Sequence, residues 1–197
     1  MVNKKPKRVL YRRRREQRTN YNKRLTLLLS RKLRLVLRFT NRKIIAQLIE
    51  FNTAGDLVKV GVNSTALLKL GWNYSLKNFP AAYLTGTLLG KTALQEGYKE
   101  AVLDTGFLAP LRRSKVYAFL KGATDAGLKI PFGDKEIFPE EKRITGQHIV
   151  DYAHALKGKK DMHEQRFTQY LKSGSQPEEM AKAFEQTKKK IIGGSKQ

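Results

Sequence analysis

Between Arg34 and Phe39 the chain alternates, with Leu35, Leu37 and Phe39 on one parity and Arg34, Val36 and Arg38 on the other. A period of two predicts a strand with one apolar face and one partly cationic face. Ile44 to Phe51 and Leu57 to Val62 predict two further strands. Thr40 to Lys43 reads as a tight turn in which Asn41 tolerates the positive φ a hairpin needs, and Asn52 to Asp56 makes the second turn. The three form an antiparallel meander expected to display Arg34, Arg38 and Lys59 on its exposed face, although polar alternation is common on any half-exposed sheet.

Elsewhere the period is helical. Tyr21, Leu25, Leu28 and Leu29 fall at i, i+4, i+7 and i+8 behind a possible cap at Thr19 or Asn20. That stripe predicts a helix docked on the core, with Lys23, Arg24 and Arg31 turned outward. Ser64 is placed to cap a short helix ending at Leu70 and Gly71, and Trp72 to Phe79 reads as an irregular link. Pro80 to Glu96 predicts a longer helix, stopped by Gly97, in which Gly86 and Gly90 allow close approach to the sheet. Glu100 to Asp104 is apolar through its centre, as in a parallel or central strand. Ser114 precedes a helix from Lys115 to Ala126, Pro131 to Glu141 marks a surface excursion, and Thr145 to Leu156 is helical again. After a Lys157 to Lys160 linker come two amphipathic pieces, one holding Phe167, Tyr170 and Leu171, the other running from Glu178 to Ile192.

The expected fold class is α/β, a mixed sheet with an N-terminal antiparallel meander packed by helices. A basic extension (1–24), a main domain (25–156) and a helical C-terminal extension (157–197) divide the chain. The late helices hold little core of their own and are expected to pack on the main domain or on a partner.

Charge changes the picture most. Of the 40 Lys and Arg, 17 lie between Lys4 and Lys43 against one acid, Glu16, so this stretch carries +16 of the formal +23. Left alone in water, the Arg12 to Arg15 run repels itself and is expected to order on a polyanion. Arg grips phosphate oxygens bidentately and stacks on bases, and Tyr11 and Tyr21 flank the run with rings suited to unstacked RNA bases. A solubilising tail is the plainer alternative. The candidate RNA-binding residues are Lys4, Lys5, Lys7, Arg8, Tyr11, Arg12, Arg13, Arg14, Arg15, Arg18, Tyr21, Lys23 and Arg24. Arg31, Arg34, Arg38 and the turn Asn41, Arg42 and Lys43 extend them. A second group, Arg112, Arg113, Ser114 and Lys115, surrounds a predicted helix N-terminus, a favourable place for phosphate or simply a basic loop.

A sequence pI near 10.3 favours a nucleic acid over other partners. No apolar run approaches the roughly 18 residues that span a bilayer, so no membrane partner is expected. The N-terminus lacks the apolar segment of a secretory signal, and the absence of Cys excludes disulfides, thiolate-bound zinc and thiol catalysis. A soluble, intracellular protein is expected.

Three stretches imitate catalytic chemistry. Gly86, Gly90, Lys91 and Thr92 resemble a phosphate loop, but one residue is missing between the glycines and the segment reads as helix. Val102-Leu103-Asp104-Thr105-Gly106 matches an aspartic-protease core, with Ile191-Ile192-Gly193 echoing the second apolar segment, yet it sits between helical patterns. A strand-ending Asp and a turn Gly explain it equally. His148, Asp151 and His154 are spaced by three on one predicted helix, which rotates the outer pair apart and favours a solvated face over a metal site. The carboxylates Glu50, Asp104 and Asp125 are too scattered to suggest a nuclease.

The residues also carry a family resemblance. Tyr11-Arg12-Arg13-Arg14-Arg15-Glu16 with Thr19-Asn20-Tyr21, then Arg24-Leu25-x-Leu27-Leu28-Leu29-Ser30-Arg31 and Arg34-Leu35-Val36-x-Arg38-x-Thr40-Asn41, begin an ordered series. Ala46-Gln47-x-Ile49-Glu50-Phe51, Pro80-Ala81-Ala82-Tyr83-Leu84-Thr85-Gly86 and Glu100-Ala101-Val102-Leu103-Asp104 continue it. Leu120-Lys121-Gly122-Ala123-x-Asp125-Ala126-Gly127-Leu128 and Gly146-x-His148-Ile149 complete it. The chain resembles, over about residues 6 to 154, the large-subunit ribosomal protein eighteen family in its archaeal and eukaryotic form. The resemblance implies an α/β domain with a basic extension that binds 5S rRNA and ties it to the large-subunit rRNA in the central protuberance. It implies neighbouring large-subunit ribosomal proteins as partners, a cytoplasmic place in the large subunit, no enzyme activity, no cofactor and no small-molecule substrate. The Arg12 to Arg15 run, Arg24, Arg31, Arg38 and the Asn41 to Lys43 turn fall in the family's RNA-facing regions. The length suggests the archaeal form. Residues 155–197 match least. A non-ribosomal RNA-binding or RNA-chaperone protein using the same arm is the alternative function, and a protease-like enzyme a third.

Overall fold

A computed structural model describes residues 9–194. A four-stranded sheet has the order β3-β2-β1-β4, with β1 Arg34–Phe39, β2 Ile44–Glu50, β3 Leu57–Asn63 and β4 Val102–Asp104. The first three form the expected antiparallel meander, in which Leu35 faces Leu48 and Leu37 faces Ala46. A register shift between Leu48 and Ile49 bends the β2–β3 pairing. Strand β4 is parallel to β1 and forms the edge, with Val36 opposite Asp104. The β1–β2 turn is closed by Thr40, whose N–H reaches the Lys43 carbonyl at 2.9 Å and whose hydroxyl also contacts Lys43. Asn41 does not adopt positive φ, so threonine hydrogen bonding rather than asparagine's tolerance of that conformation makes this turn.

One face of the sheet is covered by α4 (Phe79–Gln95) and α5 (Lys115–Asp125). Leu35, Leu37, Ile44, Ala46, Leu48 and Val60 pack with Ala82, Leu89, Phe119, Leu120 and Ala123 in this core. Asn78 starts α4 by accepting from the Ala81 N–H at 2.8 Å, and Gly97 ends it at φ +84°. Gly86 and Gly90 give the expected close approach, but to α5 rather than the sheet. A Cβ at Gly86 would overlap the Phe119 carbonyl, and one at Gly122 the Tyr83 carbonyl.

Eleven of the 17 residues of α4 are buried, because a second core covers its other side. Here Ala81, Tyr83 and Leu84 meet Leu67, Trp72 and the last helix, α9 (Met180–Gly193), through Met180, Phe184 and Ile191. Trp72, expected in a bare link, is fully buried. The other helices are α1 (Arg12–Arg15), α2 (Tyr21–Leu29), α3 (Ala66–Lys69), α6 (Glu141–Thr145), α7 (Gln147–Leu156) and α8 (Lys160–Lys172). Ser64 does not cap α3; its Oγ accepts from the Ile44 N–H at 3.0 Å. The predicted 145–156 helix is preceded by α6 and separated from it by Gly146 at φ +86°, beside Met180 and Pro80.

Candidate nucleic-acid interface

The sheet's polar edge is held by an ionic cluster whose centre, Arg34 and Asp104, is buried. Arg34 donates to Asp104 at 3.0 Å and to Asp56 at 2.6 Å, with only 4% of its side chain exposed. Arg38 donates to the Asp104 carbonyl at 2.7 Å and reaches its carboxylate at 3.4 Å. Arg24 closes the cluster through Asp56 at 2.9 Å. Arg34 therefore does not face outward as the alternation implied. A carboxylate removed from water needs cationic donors, and the buried Asp104 recruits Arg34 inward, with Asp56 pairing from the surface side. Arg38 keeps 40% of its side chain exposed and can serve both the cluster and a ligand.

Helix α2 is capped as expected, with Asn20 accepting from the Lys23 N–H at 3.1 Å, but its faces are exchanged. It buries no residue completely, and Leu25 and Leu29 are 62% and 75% exposed. Its cations point in: Lys23 donates to Thr105 Oγ1 at 2.8 Å, and Arg24 holds Asp56. Charge pairing outweighs the shallow apolar burial that a nine-residue surface helix could gain.

The arm ahead of it keeps its charge outside. Arg12 to Arg15 form one helical turn with no buried residue. Glu16 lies 3.1 Å from Arg18 and 3.8 Å from Arg12, and Arg13 donates to Thr19 at 2.9 Å. Arg14 and Arg15 are in no ion pair among the described residues. Tyr11 is 75% exposed, its ring 5.5 Å from that of Tyr21. Arg31, also exposed, follows α2 with φ +53°. Lys4, Lys5, Lys7 and Arg8 lie outside the described residues.

The two remaining cationic groups meet only at Lys115. Asn41 and Arg42 line the same groove of about 750 Å³ as Lys115, the first residue of α5. Lys43 is half-buried beside this turn. Lys77 joins the groove, although an isolated lysine in an irregular segment gave no signal of it in the sequence. Burial, and next the neighbouring Lys77, push the Lys115 amine below its ordinary value. Ser114 occupies the cap position, but its hydroxyl makes no capping bond and is buried without a partner. Arg112 and Arg113 are exposed, and Arg113 lies 3.7 Å from Glu140.

The stretches that imitate catalysis have structural work. Lys91 donates to the carbonyls of Ile191, Ile192 and Gly194 at 2.7 to 2.9 Å, capping the C-terminal end of α9. Asp104 is the ionic hub described above. His148 contacts the Lys142 carbonyl and Asp151 accepts from Gln147, both on α7's own surroundings. Among the described residues no three His, Asp or Glu converge as a metal site would require, and no helix is long and apolar enough to cross a membrane.

A family model described as ribosomal large subunit proteins 60S L5 and 50S L18 matches residues 5–101. The chain is 47% identical over 189 residues to the large ribosomal subunit protein uL18 of Sulfurisphaera tokodaii, a similarity covering 95% of each.

Proposed function

The chain belongs to the family of ribosomal large-subunit proteins that includes 60S L5 and 50S L18, as a structural component of the ribosome and not an enzyme, and from that premise we propose that it binds 5S rRNA. In this reading it helps attach 5S rRNA to the large-subunit rRNA in the central protuberance, as an archaeal-type member beside neighbouring ribosomal proteins. The basic extension (1–24) threads between RNA segments, the domain (25–156) presents a shaped surface, and the C-terminal extension (157–197) completes it.

One observation carries the reading. The densest block of cations in the chain, Arg12 to Arg15, is turned wholly outward beside the exposed ring of Tyr11, while Arg24 and Arg34 farther along are used internally. Outward guanidinium groups with an adjacent ring suit phosphates and unstacked bases. The test is competition binding of the full chain to 5S rRNA against tRNA and duplex RNA at about 0.15 M salt, where weak surface attraction is screened. Selective retention of 5S rRNA, lost when Arg12 to Arg15 are changed to Gln, is the expected outcome. Equal affinity for all three RNAs would reject it.

A further inference from the structure

Two surface grooves meet beside the C-terminal extension. The groove already described runs from Asn41 and Arg42 past Asn73, Lys77 and Lys115. A second, of about 930 Å³, lies along α7 and α8 and is lined by His148, Tyr152, Arg166, Phe167 and Lys172. Ser75, Gln169 and Tyr170 line both, so the two adjoin. Among the described residues, neither has an Asp or Glu in its lining. Three other grooves each do: Asp125 in one, Glu100 in another, and Asp125, Glu141 and Glu185 in the third.

Within the acid-free groove, Lys77 and Lys115 are charged neighbours with no carboxylate between them. Lys115 also stands at the N-terminal end of α5, where the helix dipole disfavours a cation. Folding alone opposes this grouping, and an approaching anion relieves it. The lining adds to these cations the amides of Asn41, Asn73 and Gln169 and the rings of Tyr152 and Tyr170. Phosphates, base edges and base faces require these three kinds of side chain together, whereas an acidic peptide needs only the first.

We propose that these adjoining grooves form a second RNA-binding surface, in which the backbone of a single-stranded rRNA segment runs from the Asn41–Arg42 turn past Lys77 and Lys115 to Arg166 and Lys172. The inference rests on the reading of the chain as an rRNA-binding protein. It gives the C-terminal extension a role, because α8 supplies about a third of the walls and most of the second groove.

The full-length variant Lys77→Gln/Lys115→Gln/Lys172→Gln tests it, with affinities for 5S rRNA and for large-subunit rRNA measured across a salt series. For at least one RNA the slope of log affinity against log salt is expected to fall by about 2 to 3, since each lost phosphate contact removes roughly 0.7 to 0.9. The variant's thermal unfolding should match the wild type. A readout on the unmodified protein runs beside it: acylation of Lys77 and Lys115 should be suppressed several-fold when that RNA is bound. Unchanged slopes for both RNAs, or undiminished acylation, overturn the groove. Protection of the two lysines in intact large subunits but by neither purified RNA assigns the groove to an acidic segment of a neighbouring protein and also overturns it. A wild-type chain without RNA selectivity sinks the 5S reading instead, so the two failures are distinguishable.

Discussion

Asp104 is 5% exposed and accepts from Arg34 at 3.0 Å and from the Gly106 N–H at 2.8 Å, with Arg38 at 3.4 Å. Its charge is balanced inside the protein, so it cannot act with a second aspartate as a shared-proton acid and base. Asp104→Asn removes that charge and leaves Arg34 buried with only Asp56 opposite it. Breaking one side of a buried pair costs on the order of 3 kcal/mol, so urea denaturation of this variant should show a loss of that size with RNA affinity unchanged once folded. An undiminished midpoint would show that the cluster does not hold the sheet edge. The parity of Arg34 was legible from the alternation, but its surroundings were not. Its two acids lie 22 and 70 residues away in the chain, and a one-dimensional pattern carries no information about which acids the folded sheet brings beside it.

Elements were legible where their ends are chemically marked, as at Asn20 and Gly97, while their packing partners were less so. The glycines of α4 announced a close contact without naming α5. Gly86→Ala or Gly122→Ala gains about 1 kcal/mol of helix propensity, but overpacking against a backbone carbonyl costs roughly 1–3 kcal/mol or more, so thermal unfolding should show net destabilisation. Matching stability in either variant would mean that α4 and α5 separate easily. The C-terminal elements were expected to pack on the main domain or on a partner, and α9 packs on the main domain, completing a core with α4. Tyrosines hold it there. Tyr74 donates to the Gln176 carbonyl at 2.8 Å, Tyr83 donates to Asp125 at 2.9 Å while its ring lies 5.5 Å from that of Phe184, and the Tyr170 ring meets that of Tyr74 at 5.4 Å. Burial, first among the causes in all three, raises their hydroxyls above the ordinary value, and Asp125 adds to the shift at Tyr83. The folded chain thus keeps protons that the unfolded chain releases near pH 10. Their contribution to stability is intact below about pH 10 and is lost as pH rises towards the folded values. The single Trp, Trp72, packs 5.1 Å from Tyr74, so its emission should report loosening of α8 and α9 above that pH. Stability that stays level well above pH 10 would contradict it.

Across the whole molecule, a formal charge of +23 does not act as one quantity, because the fold divides its cations into two populations. Arg24 and Arg34 are paired with the carboxylates of Asp56 at the surface and Asp104 inside, and add little to the field seen by RNA. Arg13, Arg14 and Arg15 face solvent and add nothing to a core. Stability and RNA affinity should therefore respond to different residues. Arg24→Gln leaves Asp56 with one cation fewer and should lower the unfolding midpoint, leaving the salt slope of RNA binding unchanged. Changing Arg13, Arg14 and Arg15 together to Gln should leave the midpoint alone and flatten that slope by about 2 to 3. Both properties are measured on the same preparations, one by thermal unfolding and the other by RNA titration between low and moderate salt. Were each set of substitutions to move both properties together, the division would fail, and the chain would have to be treated as a uniformly charged body whose arm also supports the fold.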